Sequence, residues 1–384
     1  MARTNGYIYR DYRRGKGDGK KRRFSVSILL FIADAIMAVV MLISAIATII
    51  CTITPNSHPE SLGILSVVVL GAPIIYIVLL CTLFYWILRW KWGFVVTALI
   101  FVIVGLFSID GYYQIYFKQQ ATTSYPTHIK LISYNICNNN STDIVDSLAT
   151  HRPHIVCLQE YKTENGDVWN NVGKLHKYKS SRKINSTVKG NELFSCEIFT
   201  NQRIIRTGLI DSLPRFNAIW ADILCNKDTL RVINLHLKST AITAQDIEFV
   251  EEHHYVIDSA RNSKIKSIAN RLVENNIYRS AQARKVAQFI EQSRPMKIVV
   301  CGDFNDVPLS YTYRTIAQDL TDVYKAAGTG YRYTFDGFFK LMAIDHILVS
   351  KDIAVLSYEV DYKIGFSDHY PVITRLKLDK LGNN

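Results

Sequence analysis

Residues 297–308 read KIVVCGDFNDVP, and the fold can be worked outward from them. The unbroken apolar run from Ile298 to Cys301 is what a strand covered on both faces requires. It halts at Gly302, and Asp303, Asn305 and Asp306 follow before Pro308. Runs of the same texture recur on either side: HIKLISYNI at 128–136, HIVCLQE at 154–160, SCEIFT at 195–200, AIWADIL at 218–224, LRVINLHL at 230–237, IDHILVS at 344–350 and YPVITRLKL at 370–378. Helical stretches fall between them, around 142–150, 243–290 and 311–326. Buried strands alternating with helices predict an α/β domain over residues 119–384, an ordinary size for one domain.

The polar residues of interest share one address, the end of a strand, where a sheet delivers side chains into a common cleft. Asn135 closes LISYN, Gln159 and Glu160 close IVCLQE, and His236 lies in INLHLKS. Asp303, Asn305 and Asp306 lie in GDFND, Asp345 and His346 follow MAI, and Ser367, Asp368 and His369 lie in FSDHYPV. Each alone has an ordinary reading. Asn and Asp near Gly and Pro serve turns, a carboxylate at a strand end is commonly solvated, and a single His on a strand is usually structural. Together they offer carboxylates, amides and histidines with no thiol cluster and no GxSxG. Hard oxygen donors suit Mg²⁺, Mn²⁺ or Ca²⁺ rather than zinc. Phosphoester cleavage needs such parts: a cation against the phosphate oxygens, a base for water, and a donor for the pentavalent centre.

The ordered series SYN, LQE, NLHLKS, GDFND, IDHI and SDHYPV resembles the endonuclease/exonuclease/phosphatase superfamily over about residues 127–378. The segment YRSAQARKVAQFI, 278–290, is similar to the family's helix before the GDFND strand. The resemblance implies a four-layer αββα sandwich of two packed mixed sheets flanked by helices. It implies Mg²⁺ or Mn²⁺ as cofactor, with Glu160 holding the ion, Asn135 supporting the metal and phosphate site, and Asp368 as a second metal-side carboxylate. It further implies His236 at the phosphate or leaving group, Asp303 positioning water, Asn305 orienting the phosphate, and Asp345 pairing with His369. Whether Asp303 or the Asp345–His369 pair takes the proton is left open. A further Glu that pairs with the middle His in some members corresponds to Glu192 or Glu197, Glu192 being preferred. The family's Ser-Lys or Ser-Arg near Thr200-Asn201 is missing, with Arg203 the nearest substitute.

The first third of the chain differs. Hydrophobic residues make up 48% of the protein, and the excess is concentrated in three apolar runs, 24–52, 62–88 and 93–117. Each meets the roughly 20 apolar residues that a transmembrane helix needs, so residues 24–118 read as a three-helix anchor and 119–384 as the catalytic domain. Asp34 stands in the first run as an isolated acid without an evident partner. Residues 1–23 hold nine Lys and Arg against two Asp, and Arg89 and Lys91 occupy the second loop with Trp90 and Trp92 beside them. Positive residues stay in the cytoplasm. The tail is therefore cytoplasmic and the catalytic domain non-cytoplasmic, in a bacterial cell membrane. About +5 of the net +12 belongs to the catalytic domain, which tolerates nucleic acid but shows no interleaved basic and aromatic track. The seven cysteines lack metal spacing and read as buried free thiols. His253 and His254 fall in a charged segment, 240–283, expected to cover the rim.

The expected function is hydrolysis of a phosphodiester or phosphomonoester, with nucleic acid, a lipid headgroup or an inositol phosphate as substrate and no obligate protein partner. The alternative is a catalytically silent membrane receptor on the same fold, and a third reading puts the work in the membrane spans.

Overall fold

The computed structural model describes residues 16–115, 128–139, 141–161, 179–180, 195–210, 217–241, 246, 249, 259–337 and 340–378. Its helices in chain order are α1 (Lys16–Ile53), α2 (Pro59–Leu62), α3 (Ala72–Leu88), α4 (Trp92–Leu106), α5 (Thr142–Thr150), α6 (Ser259–Gln292), α7 (Tyr311–Ala317) and α8 (Val323–Ala327). The strands are β1 (Tyr113–Gln114), β2 (Ile129–Asn135), β3 (Ile155–Tyr161), β4 (Lys179–Ser180), β5 (Ser195–Thr200), β6 (Arg203–Leu209), β7 (Asn217–Cys225), β8 (Asp228–His236), β9 (Lys297–Asp303), β10 (Leu320–Asp322), β11 (Gly330–Tyr331), β12 (Asp345–Ser350), β13 (Ala354–Val360) and β14 (Val372–Lys377).

Two six-stranded mixed sheets form, ordered β10-β12-β9-β8-β7-β6 and β13-β14-β2-β3-β5-β4. The β2–β3 and β8–β9 pairs are parallel and the remaining pairs antiparallel. The period of two along each strand explains the layering. Leu131, Ile155, Cys157 and Ile198 of one sheet meet Val232, Val299, Cys301 and Ile347 of the other in one buried cluster. The opposite faces bury against helices. Ile233, Val300 and Leu348 pack on Ala283, Val286 and Ile290 of α6 and on Tyr313 and Ile316 of α7. Ile132, Tyr134 and Val156 pack on Ile144, Val145 and Leu148 of α5. The α/β architecture of two packed sheets between helices is as the sequence implies.

Of the apolar runs, Ser27–Asn56 and Pro59–Leu88 are long and apolar enough to cross a membrane. The third departs from its expected 93–117. Its helix ends at Leu106, a 3₁₀ turn covers Ile109–Gly111, and Tyr113–Gln114 pairs with Gly330–Tyr331. Part of this stretch packs on protein: Tyr112 is fully enclosed, and a Cβ on Gly111 would lie 2.5 Å from Pro308 Cβ, whereas Phe107 and Ile115 are exposed. Asp34 is not isolated either. Arg89 grips its two carboxylate oxygens at 2.8 and 2.9 Å, and the Tyr85 hydroxyl donates at 2.7 Å. A paired charge is far cheaper among apolar helices than a bare one.

Candidate active site

One edge of the sandwich collects the ends of β2, β3, β8 and β9 and the start of β12. Register sets the neighbours: His236 and Asp345 both stand opposite Asp303, on either side of it. Close approach at this point depends on Gly302. Its φ is +135°, and a Cβ there would sit 1.9 Å from the Leu235 carbonyl oxygen, so only glycine lets β9 close on β8. Two more residues leave regular geometry to face the cleft. Glu160 has φ +55° where the β3–β5 register shifts between Leu158 and Tyr161, and Asn305 has φ +51°. A bulge re-aims a side chain in this way, and a non-glycine residue held at positive φ carries strain characteristic of functional sites.

Asp303 is the buried centre. Its Oδ1 accepts from the Asn305 backbone N–H at 2.7 Å, and its Oδ2 accepts from the Asn305 and Asn135 side-chain amides at 2.9 and 3.0 Å. His236 Nε2 stands 3.6 Å from Oδ2 and 3.5 Å from Glu160 Oε1, and His369 Nε2 is 3.9 Å from Asp303 Oδ2. Burial pushes the Asp303 carboxyl up, and Asp345 adds to this while the two histidines oppose it. His369 Nδ1 lies 2.9 Å from Asp345 Oδ2. A carboxylate only accepts, so Nδ1 carries the hydrogen and Nε2 faces the cleft. Burial disfavours the imidazolium, but the Asp345 and Asp303 carboxylates outweigh it, and the His369 pKa is pushed up to about 10.

Asn135 presents its amide nitrogen to Glu160 (3.3 Å) and Asp303, because its oxygen accepts from the Cys137 N–H at 3.0 Å. It therefore braces carboxylates rather than offering oxygen. Asp368 sits at the rim, its side chain 52% exposed and its Oδ1 4.0 Å from His369 Nε2. Burial, then the Asp368 and Glu160 carboxylates, push the Cys137 thiol up to about 11, so both carboxylates act on one neighbourhood. Glu192, the expected partner of His236, lies outside the described residues, as do His253 and His254. Among the described residues the carboxylates beside His236 Nε2 belong to Glu160 and Asp303.

The donor set fits a divalent cation. Glu160, Asp303 and Asp345 crowd one cleft beside His236 and His369, and Asp345 Oδ1 is buried without a hydrogen-bond partner. Asp303, Asp345 and His369 offer ligand atoms within 4.8 Å of one another. The His369–Asp345 hydrogen bond already occupies part of that trio, so the half-open Glu160 side is the better seat.

Several supports escape a reading of the sequence. Arg279 on α6 is buried, donates to Asp306 Oδ2 at 3.0 Å and to the Lys238 carbonyl at 2.8 Å, and so ties the loops after β9 and β8 together. The Thr334 hydroxyl oxygen accepts from the backbone N–H of Ile344 and Asp345, both at 3.0 Å. Asn234 joins the sheets beneath the site, donating to the Leu158 and Glu197 carbonyls and accepting from Gln159. Gln159 and His346, both singled out from the sequence, are structural: His346 is fully buried, with Nε2 2.9 Å from the Asp306 carbonyl. The only signal for Arg279 was its position in the helix before GDFND.

The model of the endonuclease/exonuclease/phosphatase family matches residues 132–369. That span is more than half of the chain and contains every site residue above, and the chain belongs to this family, whose members are hydrolases acting on phosphoesters. A domain of unknown function matches residues 34–112. Among solved structures, the human Nocturnin catalytic domain with bound sulfate is 20% identical, with a TM-score of 0.47 over 65% of this chain and 93% of that one. The endonuclease/exonuclease/phosphatase from Bacteroides vulgatus is 20% identical, with a TM-score of 0.47 over 66% and 100%. A Bacteroides thetaiotaomicron mannosyl-6-phosphatase is 17% identical, with a TM-score of 0.44 over 65% and 99%. No curated protein matches the chain.

Proposed function

We propose that the chain is a divalent-metal-dependent hydrolase of phosphodiesters or phosphomonoesters, anchored in a membrane with its catalytic domain on the non-cytoplasmic side. The convergence of Asp303, the Asp345–His369 pair, His236 and Glu160 carries this reading. Glu160, aided by Asp368, would hold Mg²⁺ or Mn²⁺, and the ion would supply charge neutralisation at the phosphate. Asp303, fixed by Asn135 and Asn305, orients water and accepts its proton. His369, protonated below about pH 10, donates from Nε2 to a phosphoryl oxygen, and Asp345 holds the ring in that tautomer. His236 faces the leaving group. With Asp303 taking the water proton, the Asp345–His369 pair serves in this reading as a donor rather than the base.

Support for the anchor comes from the outward faces of α1, α3 and α4. Leu29, Phe31, Leu42, Phe84, Leu88 and Ile100 are all exposed there, a belt larger than water tolerates. The basic tail and the Arg89–Lys91 loop lie on one side if all three helices cross, and this reading has α4 cross despite its 15 residues. The shortfall is met by tilt of its neighbours and by local thinning of the bilayer.

The test uses the full chain in lipid nanodiscs with bis-p-nitrophenyl phosphate, plasmid DNA, sphingomyelin and inositol phosphates, each with Mg²⁺, Mn²⁺ or EDTA. Turnover that needs metal and is lost in Asp303→Ala and His369→Ala is expected. A folded chain that turns over none of these is a silent receptor instead.

A further inference from the structure

The anchor does not merely tether the catalytic domain; it packs against the edge that carries the cleft. Val307 and Leu309, which follow Asn305, and Met342 and Ile344, which precede Asp345, share one buried cluster with Cys51, Val69, Ala72 and Tyr76 of the apolar helices and their links. Polar contacts fix the same face. Asn276 of α6 donates to Ser66 Oγ at 2.8 Å, His58 meets the Tyr311 ring edge-on at 5.2 Å, and Lys325 pairs with Asp110 at 2.7 Å. These contacts lie where β8 and β9 end, because Arg279, one turn from Asn276, is the residue that ties down the loops after both strands. The catalytic edge therefore faces the bilayer.

Distance turns this orientation into chemistry. Asn305 is two residues, at most about 7 Å of chain, from Val307. The headgroup zone on one side of a bilayer is about 5–7 Å thick. The first span ends near Asn56, only five residues beyond Cys51, so Val307 is held at the outer end of the helices. With these helices in a bilayer, the cleft would stand at the level of lipid phosphates.

An aromatic path joins the two. Tyr113, seven residues after α4, pairs with Tyr331; Tyr331 neighbours Tyr333 at 6.5 Å; and Tyr333 stacks on Tyr362 at 4.4 Å. Tyr333 also meets Tyr370, the residue after His369, at 5.7 Å, and Phe335 meets the His369 ring at 5.1 Å. Tyr362 and Phe366 remain 41% and 37% exposed. Rings that are apolar in body and polar at the tip are the residues that settle at a membrane interface.

We propose that the substrate is a lipid phosphoester of the leaflet beside the catalytic domain, entering the cleft by lateral diffusion. This rests on the hydrolase reading above and narrows it. Water adds its oxygen to phosphorus, the bond from phosphorus to the alcohol oxygen breaks, the water proton passes to Asp303, and the leaving oxygen takes up a proton. The products are an alcohol and a phosphate with one ester bond fewer.

The test reconstitutes the full chain in vesicles of mixed phosphatidylcholine, phosphatidylglycerol, phosphatidic acid, phosphatidylinositol phosphate and sphingomyelin, with Mg²⁺. Lipid loss is read by mass spectrometry, with bis-p-nitrophenyl phosphate as a soluble control. A lipid in the protein's own vesicles should be consumed about a hundred-fold faster than the same lipid in admixed protein-free vesicles, the gain expected from confinement to one surface. Asp303→Ala should abolish both that reaction and the control. Turnover of the soluble ester with every vesicle lipid intact, or equal rates in both vesicle populations, would overturn the lipid assignment and leave the hydrolase standing. Plasmid cleavage by the same vesicles with the lipids intact would reassign the cleft to nucleic acid. Failure of the soluble ester and the lipids alike would remove the hydrolase reading and this inference with it.

Discussion

At the residue scale the account depends on a charge arrangement. Asp345 fixes the tautomer of His369 and, with Asp303, keeps the ring protonated to about pH 10. Asp345→Asn is expected to lower kcat by about 10²–10⁴-fold, with a smaller change in KM, since the asparagine amide presents the wrong hydrogen-bond polarity. It should also move the alkaline limb of the pH–rate profile to lower pH, because the raised pKa depends on the lost carboxylate; an unmoved limb would contradict this. His346 makes a different prediction. Burial, with Arg332 adding to it, lowers its pKa from 6.5 to about 3, so between those values only the unfolded chain binds the proton. Its contribution to stability is complete above pH 6.5 and is lost as pH falls toward 3, by about 1.4 kcal/mol per pH unit. Chemical denaturation of wild type and His346→Gln at neutral pH and near pH 5 should show the variant losing less stability. The residues that meet at the cleft could be picked out because each lies at or beside a strand end and the motifs keep order. The split between Gln159, a strut, and Glu160, a cleft residue, was not legible, since it turns on a register shift that neighbouring residues alone do not specify.

At the scale of elements, the loops after β8 and β9 are held by α6. Arg279 and Asp306 are both buried, with a 3.0 Å contact. Removing one partner of such a pair strands the other charge and costs about 3–5 kcal/mol. Arg279→Ala should therefore lower Tm and also raise KM, as the Asn305 loop loosens; a loss of Tm with kinetics untouched would confine Arg279 to stability. Continuous apolar runs were enough to place most strands, and the stretches between them to place helices around 142–150 and 243–290. The helix of the third apolar run ends at Leu106, short of the expected 117, for a physical reason. In FSIDGYYQIYF Gly111 abuts Pro308, Tyr112 is enclosed and Tyr113 pairs with β11, and composition does not distinguish contact with protein from contact with lipid.

At the scale of the whole molecule, anchor and catalytic domain share a core. A fragment beginning at residue 120 loses Tyr112, β1 and the Asp110–Lys325 pair as well as the helices, which bares Val307, Leu309, Met342 and Ile344. Burial of one large side chain is worth about 1.5–3 kcal/mol. Thermal denaturation should accordingly give the 120–384 fragment a lower Tm than a 108–384 fragment, which keeps the turn and β1. Equal values would mean that the segment adds nothing to the fold. This sharing of a core was hidden in the sequence, because a membrane run and a catalytic motif give no local sign that they touch.

The most direct measurement is the Mg²⁺ dependence of bis-p-nitrophenyl phosphate turnover by the full chain, for wild type and Glu160→Gln. The account predicts saturable activation that EDTA reverses, and a curve displaced to about ten-fold higher Mg²⁺ or more in the variant, as expected when an anionic ligand becomes neutral. Turnover indifferent to EDTA, or identical curves for the two proteins, would contradict it.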